Sequence, residues 1–360
     1  MKVLYILPSY DLYGGTPRKT LDLMKYLGNQ SSLYVYQDSY PEFKHEFEKT
    51  GGSVHEGFYS RNLVKHIRYL IKIIDDNNIE IVQTQFSMGE TLGYILKIIR
   101  PKIKLLITFE GALSPSFFKM MLVNQFYKKA DAFVYISNYV KSEKLRQFPV
   151  LKEKYGEIIY NGTELRIDND RDVTHLKKYS ILAVSGLISC KNIGIVIEAL
   201  NLLINYRGRR DIYFYVAGDG PERGNLENLI NNYRLQGHVF LLSYQSNVGR
   251  LLSSCDVFVH PSYAEGFGIV VAEAMLAEKP IIAANAGALP ELIENEVSGL
   301  IVDPFDSKAW AKAIIDLIGN PAKAHRLSSE ARKRGNDLFS LNPFYKNYEN
   351  MYNNLLNKFA

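Results

Sequence analysis

The chain has 360 residues, of which 47% are apolar and 22% are charged, and its net charge is +5. This composition is typical of a globular protein, excludes a disordered chain, and allows two domains with separate cores. The chain has only two cysteines, Cys190 and Cys255, so it cannot have a disulfide framework, and we expect free, buried thiols in a reducing compartment. No apolar stretch reaches the length of a membrane span, and the run Lys2–Leu7 is too short for a signal peptide, so we expect a cytoplasmic protein.

Short apolar runs alternate with longer amphipathic segments along the whole chain. In the first half the predicted strands are Val3–Leu7, Leu33–Tyr36, Ile79–Val82, Leu105–Thr108, Phe133–Ile136 and Ile158–Tyr160. In the second half they are Ile181–Val184, Tyr213–Val216, Val239–Leu242, Val257–Val259, Ile281–Ala283 and Leu300–Val302. This alternation predicts βαβ units and an α/β protein with two parallel sheets. The polar run Asp168–Asp172 predicts a linker or an exposed loop between the two halves.

Two segments of the first half have more than one interpretation. After the first strand, Gly14 and Gly15 allow the backbone to approach a ligand, although a tight turn alone would explain them. Thr16 is predicted to cap the following helix, with Pro17 at its first position. The segment Ser116–Lys129 mixes aromatic residues, methionines and lysines, which favours the packed face of a surface helix. Peripheral contact of the first domain with the inner face of an anionic membrane is the alternative, and no recognised module points to a nucleic acid partner.

The richest stretch of the sequence is His260–Ile293. It is predicted to contain a strand, a glycine-containing turn and a helix, followed by a second strand, turn and helix. Gly266 and Gly268 let the chain turn sharply, so that the free N–H groups of the first helix form an anion site suited to a diphosphate. Glu265 and Glu273 would then face the hydroxyl-rich parts of the same ligand, which indicates a nucleotide-sugar. Two solvated charges beside an ordinary turn are the alternative.

The sequence Glu265-Gly266-Phe267-Gly268, followed by Glu273, resembles the E-x7-E element of retaining glycosyltransferases of the GT-B fold, family GT4. The resemblance implies two Rossmann-like parallel-sheet domains facing an interdomain cleft. Residues 1–163 would form the acceptor-side domain, onto which a C-terminal helix at about 341–360 packs back. Residues 164–340 would bind the donor.

The resemblance also implies an activity. The chain would be a metal-independent hexosyltransferase that moves a sugar, with retention, from a UDP- or GDP-linked donor to a hydroxyl acceptor in bacterial-type surface glycan synthesis. The acceptor could be a glycan, a lipid-linked sugar or a protein. No cofactor is expected besides the nucleotide-sugar co-substrate, since no Asp-x-Asp motif lies near the phosphate site. A GT-B-like sugar-nucleotide epimerase and a non-catalytic GT-B partner subunit are the alternatives.

The resemblance assigns roles to individual residues. Glu265 would lie near the donor sugar, and Glu273 would bind the ribose. The residues implied to contact the diphosphate or the base are Gly15, Gly186, Lys191, Tyr244, Gly266, Phe267 and Gly268. The expected catalytic residues are Glu265, Lys191 and Glu110.

The chain departs from the family pattern at several positions. Gly186 stands where an arginine is usual, so Lys191 lacks its usual partner, and Arg250, Lys308 or Arg18 could replace it. Glu110 stands where a histidine is usual. An ionised carboxylate cannot donate a hydrogen bond to a phosphate, so Glu110 is expected to accept one from a sugar hydroxyl or to act on the acceptor, unless the position has lost its role. Gln83 and Gln85 also replace frequent histidines.

Overall fold

The computed structural model describes residues 1–12, 15–112, 117–167, 176–177 and 179–358, without the side chains of 117–122 and 358. The chain forms two compact units, Met1–Gly162 with Leu341–Ala360, and Thr163–Ser340. The domain boundary expected from the sequence, between residues 163 and 164, lies one residue after the boundary between Gly162 and Thr163 in the structure. The predicted linker Asp168–Asp172 falls outside the described residues.

The first unit contains a sheet of seven parallel strands. In chain order these are β1 (Val3–Leu7), β2 (Ser31–Val35), β3 (Ser53–Glu56), β4 (Ile81–Thr84), β5 (Lys104–Phe109), β6 (Ala132–Tyr135) and β7 (Gly156–Ile158). The order across the sheet is β3-β2-β1-β4-β5-β6-β7. In the register of the central strands, Tyr5 lies opposite Leu33 on one side and Gln83 on the other. Every residue of β1 is buried, because helices cover both faces of such a sheet.

In the described part of the first unit, α-helices connect these strands. They are α1 (Gly15–Leu27), α2 (Lys44–Glu48), α3 (Leu63–Asn77), α4 (Phe86–Ile99), α5 (Phe117–Lys129) and α6 (Asn138–Gln147). The described half of α5 is packed, since Phe126 stacks on Tyr94 at 4.5 Å and Tyr127 meets Phe148 edge-on at 4.9 Å. This packing agrees with the favoured interpretation of that segment, although Ser116 lies outside the described residues. Among the helices described, none is long and apolar enough to cross a membrane.

The second unit repeats the architecture with six parallel strands. These are β8 (Ser180–Val184), β9 (Tyr213–Ala217), β10 (Val239–Leu241), β11 (Val257–His260), β12 (Ile281–Ala284) and β13 (Leu300–Val302), in the order β10-β9-β8-β11-β12-β13. Its helices are α7 (Ile193–Asn201), α8 (Arg223–Asn232), α9 (Val248–Ser254), α10 (Ile269–Leu276), α11 (Leu289–Leu292), α12 (Ser307–Gly319) and α13 (Pro321–Leu338). The predicted fold class, two Rossmann-like parallel-sheet domains, is confirmed.

The last helix, α14 (Leu341–Lys358), packs into the core of the first unit. The hydroxyl groups of Tyr352 and Tyr5 lie 2.9 Å apart, and Tyr352 also donates to Oε1 of Gln83 at 2.7 Å. The amide of Gln83 in turn donates to Thr108 at 3.1 Å. Gln83 is therefore fully buried in a satisfied core network rather than presented to a ligand.

The two cysteines are free, but only one matches its prediction. Cys255 is buried, and burial raises the pKa of its thiol to about 12. Cys190 is only partly buried, so the prediction that both thiols are buried was wrong. The reason is local: Cys190 lies in the turn after β8, where its carbonyl accepts from the backbone N–H of Tyr263 at 3.0 Å.

Candidate active site

The neighbouring strands β8 and β11 bring a lysine, a histidine and a glutamate together at their carboxyl ends. Nζ of Lys191 lies 2.6 Å from Oε2 of Glu265, and Nε2 of His260 lies 2.8 Å from the same oxygen. Lys191 ends a short turn of 3-10 helix just before α7, and His260 is the last residue of β11. The carboxyl edge of a parallel sheet is where such folds bind ligands.

The two basic groups hold Glu265 in its ionised form. The side chains of Lys191, Glu265 and His260 are 20%, 14% and 4% exposed. Burial alone would raise the pKa of Glu265, but the hydrogen bond and charge of His260, together with the charge of Lys191, lower the pKa to about 2. Glu265 is therefore a carboxylate at neutral pH, and it has no proton to give to a leaving group.

The backbone of Glu265 is fixed by the turn that follows β12. The carbonyl of Glu265 accepts from the N–H of Ala288 at 3.0 Å. Gly287 has a φ of +57°, and a Cβ at this position would lie 2.3 Å from that carbonyl oxygen. Only glycine fits here, so the turn between β12 and α11 positions the backbone of Glu265.

The N-terminus of α10 lies beside Glu265. Gly268 caps the helix with a φ of +96°, and its carbonyl accepts from the N–H of Val271 at 2.9 Å. A Cβ on Gly268 would lie 3.5 Å from Cγ of Glu265. Because the first N–H groups of a helix have no acceptor within it, this end can bind an anion. The predicted helix is confirmed.

The residues around this turn divide their roles between side chain and backbone. The side chain of Phe267 is buried and meets Phe339 edge-on at 5.6 Å. Phe267 therefore anchors the turn by packing, and only its backbone can serve the expected role against a diphosphate. Gly266, which precedes it, is partly exposed.

Glu273 has a different environment from Glu265. It lies on α10 with 9% of its surface exposed, and its Oε1 accepts from Oγ1 of Thr163 at 3.3 Å. Thr163 is held by its own backbone N–H, which donates to the carbonyl of Phe339 at 2.8 Å. The two glutamates of the motif thus have separate partners, as two separate roles would require.

Gly186 follows β8, and the backbone does not require a glycine there. The nearest atom to a Cβ at Gly186 would be the carbonyl oxygen of Asp219, at 3.9 Å. At Gly218, by contrast, a Cβ would lie 1.9 Å from the carbonyl oxygen of Ser185. Gly218 is therefore structural, whereas Gly186 leaves room for a larger side chain.

The second basic group beside Glu265 is His260, which the sequence interpretation did not select. Of the basic residues considered as replacements, Arg250 lies on α9, Lys308 on α12 and Arg18 on α1. The feature of the sequence that could have identified His260 is its position, since it is a polar residue at the end of a buried apolar strand.

Tyr244 follows β10 at the edge of the same sheet, and its side chain is 54% exposed. Three strand spacings separate β10 from β11, which places Tyr244 about 14 Å along the sheet edge from the Lys191–Glu265 pair. The structure does not bring Tyr244 into the cluster, and its expected contact with the base stays a prediction.

In the first unit, Gly15 lies at the start of α1, the helix that carries the buried Lys19. Gly15 is the exposed first residue of α1, while Tyr13 and Gly14 fall outside the described residues. The helix thus begins before Thr16, so the prediction of Thr16 as its cap was wrong. Pro17 still lies in the first turn, where its missing N–H costs nothing.

Lys19 on α1 forms an ion pair with Glu110, the residue that follows β5. The two side chains are only 1% and 12% exposed. Burial alone would lower the pKa of Lys19, but the charge of Glu110 and their hydrogen bond leave it above its usual value. One carboxylate oxygen of Glu110 is thus occupied by the ion pair with Lys19. The action of Glu110 on an acceptor remains a prediction. The burial of Lys19 was not predicted, because two consecutive basic residues, Arg18 and Lys19, are typical of an exposed helix face.

This ion pair gives a stability prediction. The single substitution Glu110→Leu should leave Lys19 as an uncompensated buried charge and lower the free energy of unfolding by about 3 to 5 kcal/mol. The double variant Lys19→Met with Glu110→Leu, which removes both charges, should recover most of that loss. Urea denaturation followed by circular dichroism measures both. Equal losses in the single and double variants would show that the pair is not the cause.

Two Rossmann-like parallel-sheet domains in one chain, with a polar site at the carboxyl edge of the second sheet, are the architecture of GT-B glycosyltransferases. Residues 13–166 match the family described as Glycosyltransferase Family 4, and residues 166–334 match Glycosyl transferases group 1. The chain belongs to these glycosyltransferases, as a GT4-like member with the GT-B fold.

Individual relatives agree with this assignment. The chain is 24% identical over 303 residues to the N-acetyl-alpha-D-glucosaminyl L-malate synthase of Bacillus anthracis, covering 80% of this chain and 78% of that protein. It is 34% identical over 211 residues to the O-antigen biosynthesis glycosyltransferase WclY of Escherichia coli, covering 55% of each. The crystal structure of Anabaena Alr3699/HepE in complex with UDP has a TM-score of 0.83 at 21% identity, over 98% of this chain and 100% of that one. The last comparison concerns the fold alone.

Proposed function

We propose that this protein is a retaining hexosyltransferase whose donor is a UDP-linked or a GDP-linked sugar. The proposed acceptor is a hydroxyl group of a surface glycan precursor. The observation that carries the proposal is the cluster of Lys191, His260 and Glu265 beside the N-terminus of α10. The solved structures of Alr3699/HepE with UDP and with UDP-glucose support UDP as the nucleotide.

In the proposed mechanism, the diphosphate binds at the N-terminus of α10 and against Lys191. The bond between the anomeric carbon and the phosphate oxygen breaks, and the departing negative charge is stabilised by the ammonium group and the helix N–H groups. The acceptor oxygen bonds to the anomeric carbon on the same face, and its proton goes to the departing phosphate oxygen. The configuration of the sugar is therefore retained.

Glu265 has an electrostatic role in this mechanism. As a carboxylate it can accept a hydrogen bond from a hydroxyl of the donor sugar and stabilise positive charge on its ring. It also holds Lys191 and His260 in place. Glu273 would accept hydrogen bonds from the ribose. Since Lys191 and the helix supply positive charge, we expect activity without an added divalent metal, to be checked with a chelator.

A nucleotide panel tests the proposal. Thermal shift and calorimetry with UDP, GDP, ADP and their common sugar derivatives should identify one stabilising nucleotide, and a ligand at about one hundred times its Kd adds about 2.7 kcal/mol. Glu273→Ala should weaken that binding. Glu278→Ala is the matched control, because Glu278 lies just beyond the same helix and pairs with Arg332 on the surface. If no nucleotide binds, the transferase proposal loses its support, and a non-catalytic role becomes the better explanation.

A further inference from the structure

The first unit contains a pocket that the proposed chemistry does not use. Its volume is about 800 Å³, which is within the range of small-molecule sites. Three segments form its walls: the residues after β2, the loop between β3 and α3, and the first turns of α4. The segment after β2 and the start of α4 both lie at the carboxyl edge of the sheet, where Glu110 also lies.

The loop between β3 and α3 is held rigidly. Ser60 has a left-handed φ of 53°, and its carbonyl lies 3.0 Å from Nε2 of the buried His66. The other ring nitrogen of His66 lies 2.6 Å from the hydroxyl group of Tyr34, and the ring of Tyr59 meets the His66 ring edge-on at 5.3 Å. This wall is therefore ordered before any ligand binds, which reduces the entropy cost of binding.

The start of α4 is strained and incompletely satisfied. Phe86, its first residue, has a φ of 63°, which is rare for a bulky side chain, and it is exposed. The side chain of Gln85 is fully buried, yet within the described part of the chain neither amide atom has a hydrogen-bond partner. Ser87 and Met88, the two residues that follow Phe86, line the pocket. Strain and unsatisfied polar groups of this kind are concentrated at binding sites.

The side chains of the pocket indicate the class of ligand. Arg61 and Asp38 contribute one charge of each sign, so the pocket favours a neutral molecule. Phe58 is 42% exposed and Tyr36 lines the floor, and such rings pack well against the C–H face of a pyranose. The hydroxyl group of Thr91 donates to the carbonyl of Ser87 at 2.8 Å and can accept from a sugar hydroxyl, and the hydroxyl groups of the two lining serines can also hydrogen-bond to the sugar.

We propose that this pocket binds a neutral hexose ring of the acceptor, so that the acceptor is a carbohydrate rather than a small anion. The assignment of the ring to the acceptor rests on the proposed function, whereas binding of the ring to the pocket does not. The start of α4 follows β4, which is one strand spacing of about 5 Å from β5, whereas β2 lies three spacings, or about 14 Å, from β5. A ring in the pocket therefore lies about 5 to 14 Å along the sheet edge from Glu110.

Saturation-transfer NMR without nucleotide tests the pocket. The probes are the methyl glycosides of glucose, galactose, mannose and N-acetylglucosamine, with L-malate and glycerol 3-phosphate as anionic competitors. At least one glycoside should show transfer to its ring protons. Phe58→Ala should weaken its binding about tenfold, and Thr91→Val should weaken it less. Binding of an anion but of no glycoside would overturn the proposal.

Two matched controls exclude unfolding and general effects. The control for Phe58→Ala is Tyr206→Ala, which removes an exposed aromatic ring from the second unit. The control for Arg61→Ala is Arg68→Ala, which removes an exposed arginine of α3 that does not line the pocket. Both controls should bind the glycoside as the wild type does. If Phe58→Ala and Arg61→Ala also bind it normally, the pocket is not the site.

The two proposals fail in different ways. Phe58→Ala should leave nucleotide binding unchanged, because none of the residues assigned to the nucleotide lines the pocket. Glycoside binding without nucleotide binding would preserve the pocket and overturn the transferase. Nucleotide binding with no glycoside binding would preserve the transferase and overturn the carbohydrate pocket.

Discussion

Replacing Lys191 by alanine should lower kcat/KM for the donor by about 100-fold to 1000-fold, which corresponds to about 2.7 to 4 kcal/mol of lost transition-state stabilisation. Lys191 is expected to contribute the main side-chain cation to the departing diphosphate, because no arginine stands at Gly186. Steady-state release of nucleoside diphosphate measures the loss.

Two variants control this prediction. Lys191→Arg keeps the positive charge and should recover part of the activity, although the guanidinium group has a different shape. Lys308→Ala removes an exposed lysine at the start of α12, one of the residues considered as a substitute for the missing arginine, and should leave kcat/KM unchanged. If Lys191→Ala retained full activity, the diphosphate would be bound elsewhere.

Replacing Glu265 by glutamine should lower kcat by about 1000-fold while changing the Kd of the nucleoside diphosphate much less. Glutamine keeps the shape of the side chain but removes the negative charge proposed to stabilise the donor sugar. Because the pKa of Glu265 is about 2, this residue should contribute no acidic limb to the pH dependence of kcat/KM above about pH 3. An acidic limb near pH 6 that disappears in Glu265→Gln would contradict the role of a permanent carboxylate.

The lowered pKa of Glu265 also predicts that the protein loses stability as the pH falls. The folded pKa of Glu265 lies below its unfolded value, so the ionised group stabilises the fold above about pH 4.5, and this contribution is lost as the pH falls towards 2. Glu265→Gln should therefore cost about 3 kcal/mol at pH 7, and the difference from wild type should narrow in acid. Glu278→Gln, at a half-buried position outside the cluster, is the matched control for the loss of a carboxylate.

The fold was predictable from the sequence because buried parallel strands are apolar along their whole length. All six predicted strands of the second unit occur within one residue of their predicted ends, as Leu300–Val302 illustrates. Strand β3 was missed. Its four residues, Ser53–Glu56, include one aliphatic side chain and lie half-buried at the edge of the sheet, so neither alternation nor an apolar run identifies them.

The site was only partly predictable, because its chemistry depends on contacts between segments that are far apart in the sequence. The structure brings Lys191 and Glu265, which are 74 residues apart, within hydrogen-bond distance. His260 and Lys19 were missed for the same reason, since a basic residue in a sequence does not show which carboxylate it will contact. Glu110 shows the same limit: the sequence did not reveal its buried partner Lys19, and its expected role on the acceptor stays a prediction.

The central claim is transfer with retention at the site of Lys191 and Glu265, and the anomeric configuration of the first-formed product tests it most directly. With the UDP-α-sugar that the nucleotide panel identifies and a glycoside acceptor, proton NMR of the new linkage should show the small coupling of an α-glucoside or α-galactoside. A β-linked product would contradict the proposed mechanism, because it requires attack from the face opposite the departing diphosphate.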